Sequence, residues 1–273
     1  MNLLILISII LSVILGLLRG LDLAFFTDAA TGLCLTGSVW LRYFLLGGAV
    51  LLAILAGRTI RRTEGIREQS RAAGIAAAGA AVFFLLAGVA RLLFALEGVG
   101  TVVRALLELF CCVWMSLLAR NWLRSGPWHR PTRSLYPAVA GSLLFYWCVL
   151  TCFMKNSSSW YRVAPTTEVW QMLAAVVFLV SLARALYLPE KANGKLLGAA
   201  GMASFTLCLC WELPQTVSLL SGGFRMTRLP ELLFGLGVCC VGAIGGITAL
   251  RCKEGTGAAA QTDTRESGRH SVG

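Results

Sequence analysis

Eight apolar segments limit what this chain can fold into more strongly than any other feature of its sequence. Each holds about 20 residues, the length at which a helix crosses a hydrocarbon core of about 30 Å. Backbone hydrogen bonds in lipid have to be satisfied within each segment, which favours helices. The segments lie at 2–18, 38–57, 72–96, 101–120, 136–154, 167–188, 196–213 and 229–250. The sequence therefore predicts an all-α polytopic transmembrane helix bundle, with about eight spans arranged as four consecutive helical hairpins.

The composition indicates a membrane protein without a separate soluble domain. Of 273 residues, 57% are hydrophobic and 14% are charged, whereas soluble domains carry about 25% charged residues. We expect residues 1–250 to form one transmembrane domain and residues 251–273 to form a polar, disordered cytoplasmic tail. The first segment lacks a basic stretch before it and is followed by Arg19, so it is expected to remain a span and not to be cleaved as a signal peptide.

Basic residues alternate between the two ends of the predicted helices. The larger groups are Arg58, Arg61, Arg62, Arg67 and Arg71 after the second span, and Arg120, Arg124, Arg130 and Arg133 after the fourth. By the positive-inside rule these connections and both termini are cytoplasmic. The expected location is the plasma membrane, in a bacterial cell. The net charge of +11 lies mainly on these loops and not on a basic surface interleaved with stacking aromatics, so nucleic acid is not an expected partner.

Small residues recur at four-residue spacing on two of the predicted spans. Ala49, Ala53 and Gly57 do so on the second, and Gly242 and Gly246 form a GxxxG pattern on the eighth. Small residues at this spacing let helices approach closely in a membrane. They predict helix packing, either within the chain, which is the favoured reading, or against a second copy or another membrane partner.

The sequence contains little that could support catalysis or metal binding. His129 and His270 are the only histidines, so an HExxH motif and an intramembrane Ser–His dyad are both ruled out. The ten cysteines include no CxxC pair and are read as small apolar residues, although Cys148 and Cys152 share a helix face and leave a thiolate metal or redox site as an alternative. We expect no catalytic residues, no metal and no cofactor, with an intramembrane enzyme as the third reading of function.

Three charged residues fall deep within the third and fourth spans. Arg91 and Glu108 are equally far from the centre of the short turn between these spans, roughly 12 Å along each helix. Arg104 lies four residues before Glu108 and shares its helix face. The spacing predicts contact between these residues, called the Arg91 cluster below. Its role is either functional, as the wall of a polar cavity or a site for a substrate carboxylate, or structural, as an ion pair that pins the hairpin.

Glu212 is the fourth candidate, because a carboxylate late in the seventh span is costly when it faces lipid. Pro214 predicts that the helix bends or stops there. We expect Glu212 to face an outer aqueous vestibule near the Arg91 cluster, with Arg225 and Arg228 as partners. The alternative is that Glu212 only marks the membrane surface beside Trp211.

Other outer charges have simpler interpretations. Glu231 and Glu168 each stand near the start of a span, where a carboxylate complements the helix dipole. Arg42 is placed to reach the membrane surface beside Trp40 and Tyr43.

The sequence favours transport of a small solute or ion through an outward-facing polar cavity formed by Glu212, Glu108, Arg91 and Arg104. The alternative is a non-catalytic membrane sensor or assembly subunit that acts through the basic cytoplasmic loops. The lipid bilayer is the expected partner in either case.

Overall fold

The computed structural model describes residues 3–28, 33–35, 37–60, 63–95, 98–124, 131–154, 163–221 and 226–252. Most of the predicted tail, from residue 253 onward, lies outside the described residues. Within the described ranges every regular element is helical, apart from one isolated antiparallel bridge between Thr27 and Cys34.

Nine α-helices are present in the described part of the chain. They are α1 Leu3–Phe25, α2 Val39–Gly57, α3 Arg71–Phe94, α4 Val99–Leu123, α5 Tyr136–Met154, α6 Val163–Tyr187, α7 Gly194–Ser204, α8 Glu212–Ser221 and α9 Leu229–Arg251. A π-helical segment, Phe205–Trp211, joins α7 to α8 without a break. Short 3₁₀ turns lie at Glu64–Arg67, Pro189–Lys191 and Met226–Arg228.

In the described ranges, eight helices are long and apolar enough to cross a membrane, as the sequence predicts. The seventh of them is the continuous stretch Gly194–Leu220, made of α7, the π-helical segment and α8. The chain is therefore a multi-pass, all-helical membrane protein. The hairpin arrangement and the cytoplasmic location of both termini stay predictions.

The first span also differs in its boundary, because its helix runs to Phe25 and not to residue 18. Its extra turns contain Arg19 and Asp22, which the sequence analysis placed beyond the helix. These two residues form an i,i+3 ion pair with 2.6 Å between Arg19 Nη1 and Asp22 Oδ2. Because the charges satisfy each other along the helix, the helix continues through them.

The sequence predicts that the helix bends or stops at Pro214, and of these two outcomes the end of the helix is wrong. The chain stays helical from Gly194 to Ser221, and the irregularity is the π-helical segment just before the proline. A π-helix already departs from the i→i−4 hydrogen-bond ladder. Pro214 has no backbone N–H to donate. Because the hydrogen bonds of the preceding π-helical segment are already shifted, the missing bond does not end the helix.

α9 and the seventh span form the centre of the bundle, whereas α1 and α2 lie at its edge. The most apolar window of the seventh span is 72% buried and that of α9 is 67% buried, against 33% for α1 and 22% for α2. α3 packs most extensively on α4 and α9, and α9 also packs on α7 and the π-helical segment. Phe84 joins these layers, with ring centroids 6.0 Å from Phe145 and 5.9 Å from Phe234.

Both stripes of small residues lie at contacts inside the chain. Ala49 and Ala53 are buried on α2, and a Cβ added to Gly57 would collide with the backbone of Gly198 on α7. On α9, a Cβ on Gly242 would lie 2.6 Å from Leu209 N, and one on Gly246 would lie 2.6 Å from the Phe205 ring. The GxxxG surface of α9 is thus packed against the π-helical segment, where no β-carbon fits.

Candidate functional site

The predicted contact between Arg91 on α3 and Glu108 on α4 is confirmed. Arg91 Nε donates to Glu108 Oε1 at 3.1 Å, and Arg91 Nη2 donates to the same oxygen at 2.9 Å. Arg104 Nε lies 3.4 Å from Glu108 Oε1. The short turn between the two helices fixes their relative register, which is why spacing along the sequence was enough to predict this contact.

Glu231, at the start of α9, also belongs to the Arg91 cluster. Arg91 Nη1 donates to Glu231 Oε1 at 2.9 Å, and Arg104 Nη2 donates to Glu231 Oε2 at 2.9 Å. The sequence analysis assigned Glu231 only to the helix dipole of α9. The structure adds ion pairs with Arg91 and Arg104, which precede Glu231 by 140 and 127 positions in the sequence. No local sequence pattern predicts contacts over such separations.

The completed Arg91 cluster contains two guanidinium groups and two carboxylates and ties α3, α4 and α9 together. The Glu108 side chain has no exposed surface. The Arg104 guanidinium also lies 4.6 Å from the ring centroid of Phe234, in a cation–π contact. Each charge is matched by opposite charges through several donors, an arrangement that resists movement.

The carboxylate of Glu212 points into the protein and is held by two uncharged donors. Gln171 on α6 donates from Nε2 to Glu212 Oε2 at 2.7 Å, and Thr216 on α8 donates from Oγ1 to Glu212 Oε1 at 3.0 Å. Gln171 is fully buried, and Thr216 is 1% exposed. The partners expected from the sequence were Arg225, which lies outside the described residues, and Arg228, which lies in an exposed turn.

Gln171 connects Glu212 to the π-helical segment. The same Nε2 that binds Glu212 also donates to the carbonyl oxygen of Leu207 at 3.2 Å. Cys208 Sγ in turn donates to the carbonyl oxygen of Gln171 at 3.3 Å. Within the described residues, Gln171 Oε1 is buried and has no hydrogen-bond partner. A single amide group therefore binds both the carboxylate and a carbonyl of the irregular helix, and it retains one free acceptor.

Gly235 on α9 provides the room for this arrangement. A Cβ at this position would lie 3.0 Å from Glu212 Oε1 and would collide with Thr216 Oγ1. Gly235 comes four residues after Glu231, so the Glu212 site and the Arg91 cluster meet α9 one helical turn apart. The absence of a side chain at Gly235 lets the carboxylate and the hydroxyl approach the α9 backbone.

A second polar contact lies on the other side of the π-helical segment. Ser12 on α1 and Thr206 share a hydrogen bond of 2.8 Å between their hydroxyl oxygens, and both residues are 99–100% buried. Buried polar side chains thus flank the segment both on α1 and on α6. The sequence analysis did not single out Gln171, Thr216 or Thr206. The sequence feature that could have identified them is that each is a polar side chain within an apolar span.

The cavities along the described helices include ones with volumes of about 610, 480, 570 and 380 Å³. Two of them flank α1, and their walls are mostly apolar. Neither Glu212 nor any residue of the Arg91 cluster lines these four cavities. An aqueous vestibule at Glu212 and a polar cavity at the Arg91 cluster stay predictions.

In the described ranges, no group of three or more His, Cys, Asp or Glu side chains is placed to hold a metal ion. The site is therefore defined by its hydrogen bonds and charges. Comparison with protein-family models, with curated proteins and with solved structures gave no match.

Proposed function

We propose that this protein carries a small solute across the membrane, and that Glu212 binds and releases the proton that is coupled to this movement. The observation that carries the proposal is that, among the described residues, the hydrogen bonds to the intramembrane carboxylate of Glu212 come from the uncharged donors Gln171 and Thr216, at the junction between the π-helical segment and α8. Ionisable groups inside membranes commonly mark ion or substrate pathways.

Neutral partners distinguish Glu212 from a structural carboxylate. A carboxylate that is paired with arginine loses the ion pair when it accepts a proton, and the arginine is left as an unpaired buried charge. Glu212 can accept one while keeping the hydrogen bond from Thr216. A metal ion would need several oxygen ligands and would have to displace the donors that now point at Glu212. A proton needs only one oxygen, and this favours the proton as the coupled ion.

Gln171 supplies a route from protonation to helix movement. A proton on Glu212 Oε2 turns an acceptor into a donor, and this donor then faces the donor group Gln171 Nε2. Rotation of the Gln171 amide by about 180° presents Oε1 to the new donor, since Oε1 is the group left unpartnered. The same rotation removes Nε2 from the Leu207 carbonyl.

The consequence of that rotation falls on the π-helical segment. Leu207 loses its side-chain donor, so the segment that joins α7 to α8 is held less firmly to α6, although the Cys208 bond to the Gln171 carbonyl remains. Short π-helical stretches within α-helices are frequent at functional sites. We propose that the segment has two arrangements and that the protonation state of Glu212 selects between them.

The Arg91 cluster takes a different role in this proposal. Its two arginines and two carboxylates neutralise one another, and they connect α3, α4 and α9. We assign it to holding these helices as a fixed body against which the seventh span moves. The alternative of a sensor or assembly subunit is less favoured, because the small-residue stripes on α2 and α9 are occupied by contacts within the chain.

The proposal is tested with purified protein in liposomes under a proton gradient that is directed inward. A panel of small anionic, cationic and neutral solutes is screened for solute-dependent proton movement and for accumulation. Wild-type protein is expected to accumulate at least one solute. Glu212→Gln, which mimics the protonated side chain, is expected to lose accumulation driven by the gradient but to keep exchange of internal for external solute.

Glu190→Gln is the matched control, because Glu190 lies in an exposed 3₁₀ turn. It should behave as wild type in both assays. Full gradient-driven accumulation by Glu212→Gln would contradict the role of Glu212. The absence of solute-dependent proton movement by wild-type protein across the whole panel would contradict transport.

A further inference from the structure

A cavity of about 480 Å³ lies between the last turns of α1 and the first turns of α2. Its wall includes Arg19, Asp22, Arg42 and Trp211, and the rest of the wall is mainly leucine. None of the groups proposed above for proton coupling or solute movement lines this cavity. Its charges were also not grouped by the sequence analysis, which treated Arg42 as a residue reaching the membrane surface by itself.

The charged residues of this cavity form a connected set. Asp22 Oδ2 lies 2.6 Å from Arg19 Nη1, and Asp22 Oδ1 lies 2.6 Å from Arg42 Nη2. The Arg19 guanidinium also lies 4.8 Å from the centroid of the Trp211 ring. Two guanidinium groups and one carboxylate leave the lining with a net charge of +1. Glu212, the next residue after Trp211, is directed to Gln171 and Thr216 instead.

Hydrogen-bond donors of this lining that have no partner in the described part of the chain include Arg19 Nε and Trp211 Nε1. Both atoms belong to residues that are 3% exposed. A buried donor without a partner is costly, and a charged one especially so. An excess positive charge together with unpartnered donors indicates a site that binds an anion.

The remainder of the wall indicates what carries the anion. Leu18, Leu41 and Leu45 line the cavity and are 51%, 57% and 47% exposed. On a membrane-spanning helix these side chains are in contact with acyl chains. The cavity therefore combines leucines that face lipid with the charged side chains of Arg19, Asp22 and Arg42. We propose that it is a binding site for an anionic phospholipid, with the singly charged phosphodiester at Arg19, Arg42 and Trp211 and an acyl chain along the leucines.

The choice of a phospholipid follows from charge and position. A phosphodiester carries one negative charge, which matches the net charge of the lining, and presents oxygen acceptors to guanidinium and indole donors. A lipid with a zwitterionic headgroup would bring a cation next to the two arginines. A soluble anion would leave the apolar part of the cavity unfilled.

The test compares lipid binding to the full-length protein by native mass spectrometry in a neutral detergent. The probes are phosphatidylglycerol, phosphatidylcholine and glycerol 3-phosphate. We expect phosphatidylglycerol to bind wild-type protein about tenfold more tightly than phosphatidylcholine, as one charge-assisted hydrogen bond implies. Glycerol 3-phosphate is expected to bind more weakly than phosphatidylglycerol.

Two adjacent leucines on α1 provide a matched pair of variants. Leu18→Trp fills this cavity, whereas Leu17→Trp places the same bulk in the apolar cavity on the other side of α1. Leu18→Trp should remove the preference for phosphatidylglycerol, and Leu17→Trp should keep it. Trp211→Phe deletes the N–H donor but keeps an aromatic ring under Arg19, and it should reduce the preference in a protein that still folds.

Three results would overturn the proposal. The first is equal binding of the two lipids by wild-type protein. The second is the same effect of Leu17→Trp and Leu18→Trp on the preference for phosphatidylglycerol. The third is binding of glycerol 3-phosphate as tight as that of phosphatidylglycerol. The last result would assign the site to a soluble anion. Arg19→Gln is not used, because Arg19 is buried and its loss would leave Asp22 with one fewer partner.

Discussion

The two intramembrane carboxylates Glu108 and Glu212 differ in the kind of group that holds them. Arg91 and Arg104 hold Glu108 within a cluster that also pairs both arginines with Glu231. Glu212 is held by an amide and a hydroxyl, next to the π-helical segment. A charge at membrane depth therefore does not by itself indicate function, because its partners determine whether it can change its protonation state.

The largest expected difference between the two carboxylates is in chemical reactivity. Dicyclohexylcarbodiimide is apolar and reacts with protonated carboxyl groups in membranes. Glu212 can accept a proton without breaking an ion pair, and Glu108 cannot. We therefore expect labelling of Glu212 and none of Glu108, as measured by peptide mass spectrometry on protein in liposomes. Equal labelling of the two residues, or labelling of Glu108 alone, would show that the comparison is wrong.

The next largest effect is expected from breaking the Arg91 cluster. Arg91→Ala or Glu108→Ala leaves buried opposite charges short of a partner, which should lower the free energy of unfolding by about 3–5 kcal/mol. The double variant should lose less than the sum of the two single losses. The stability of all three variants is measured by thermal unfolding in detergent. Arg120→Ala is the control, because Arg120 is an exposed arginine on α4. Additive losses would show that Arg91 and Glu108 do not stabilise each other.

A smaller effect is expected from Gln171→Leu. It removes the donor shared by Glu212 and the Leu207 carbonyl, which should lower the free energy of unfolding by about 1.5–3 kcal/mol. Hydrogen exchange of the π-helical segment should increase more than that of α3, because the Leu207 carbonyl loses the hydrogen bond from the α6 side chain. Equal changes in both helices would mean that Gln171 has only a general packing role.

The smallest effects are expected from conservative changes at the Glu212 site. Thr216→Val removes one hydroxyl donor and should lower the free energy of unfolding by about 1 kcal/mol. Glu212→Gln keeps an acceptor for Gln171, so it should change the free energy of unfolding by less than about 1 kcal/mol. Thr167→Val is the control, since the Thr167 hydroxyl bonds only carbonyls of its own helix. A loss from Glu212→Gln as large as that from Glu108→Ala would place both carboxylates in the same structural class.

The sequence determined the features that depend on local composition and short separations. Eight spans follow from hydropathy, because each helix satisfies its own backbone and needs only about 20 apolar residues. The contact of Arg91 with Glu108 follows from a short turn, which leaves little freedom in how two consecutive helices align. The four candidate charges were also identified from the sequence alone, since each interrupts an apolar run.

The tertiary structure decided what those charges contact and where the seventh helix becomes irregular. Glu231 joins Arg91 across 140 positions, and Gln171 reaches Glu212 across 41. The helix continues through Pro214 because the π-helical segment is packed against the glycines of α9 and bonded to Gln171 of α6. Such contacts depend on how distant helices pack, and in lipid that packing is set by shape and hydrogen bonding and not by apolar pattern, since every span is apolar.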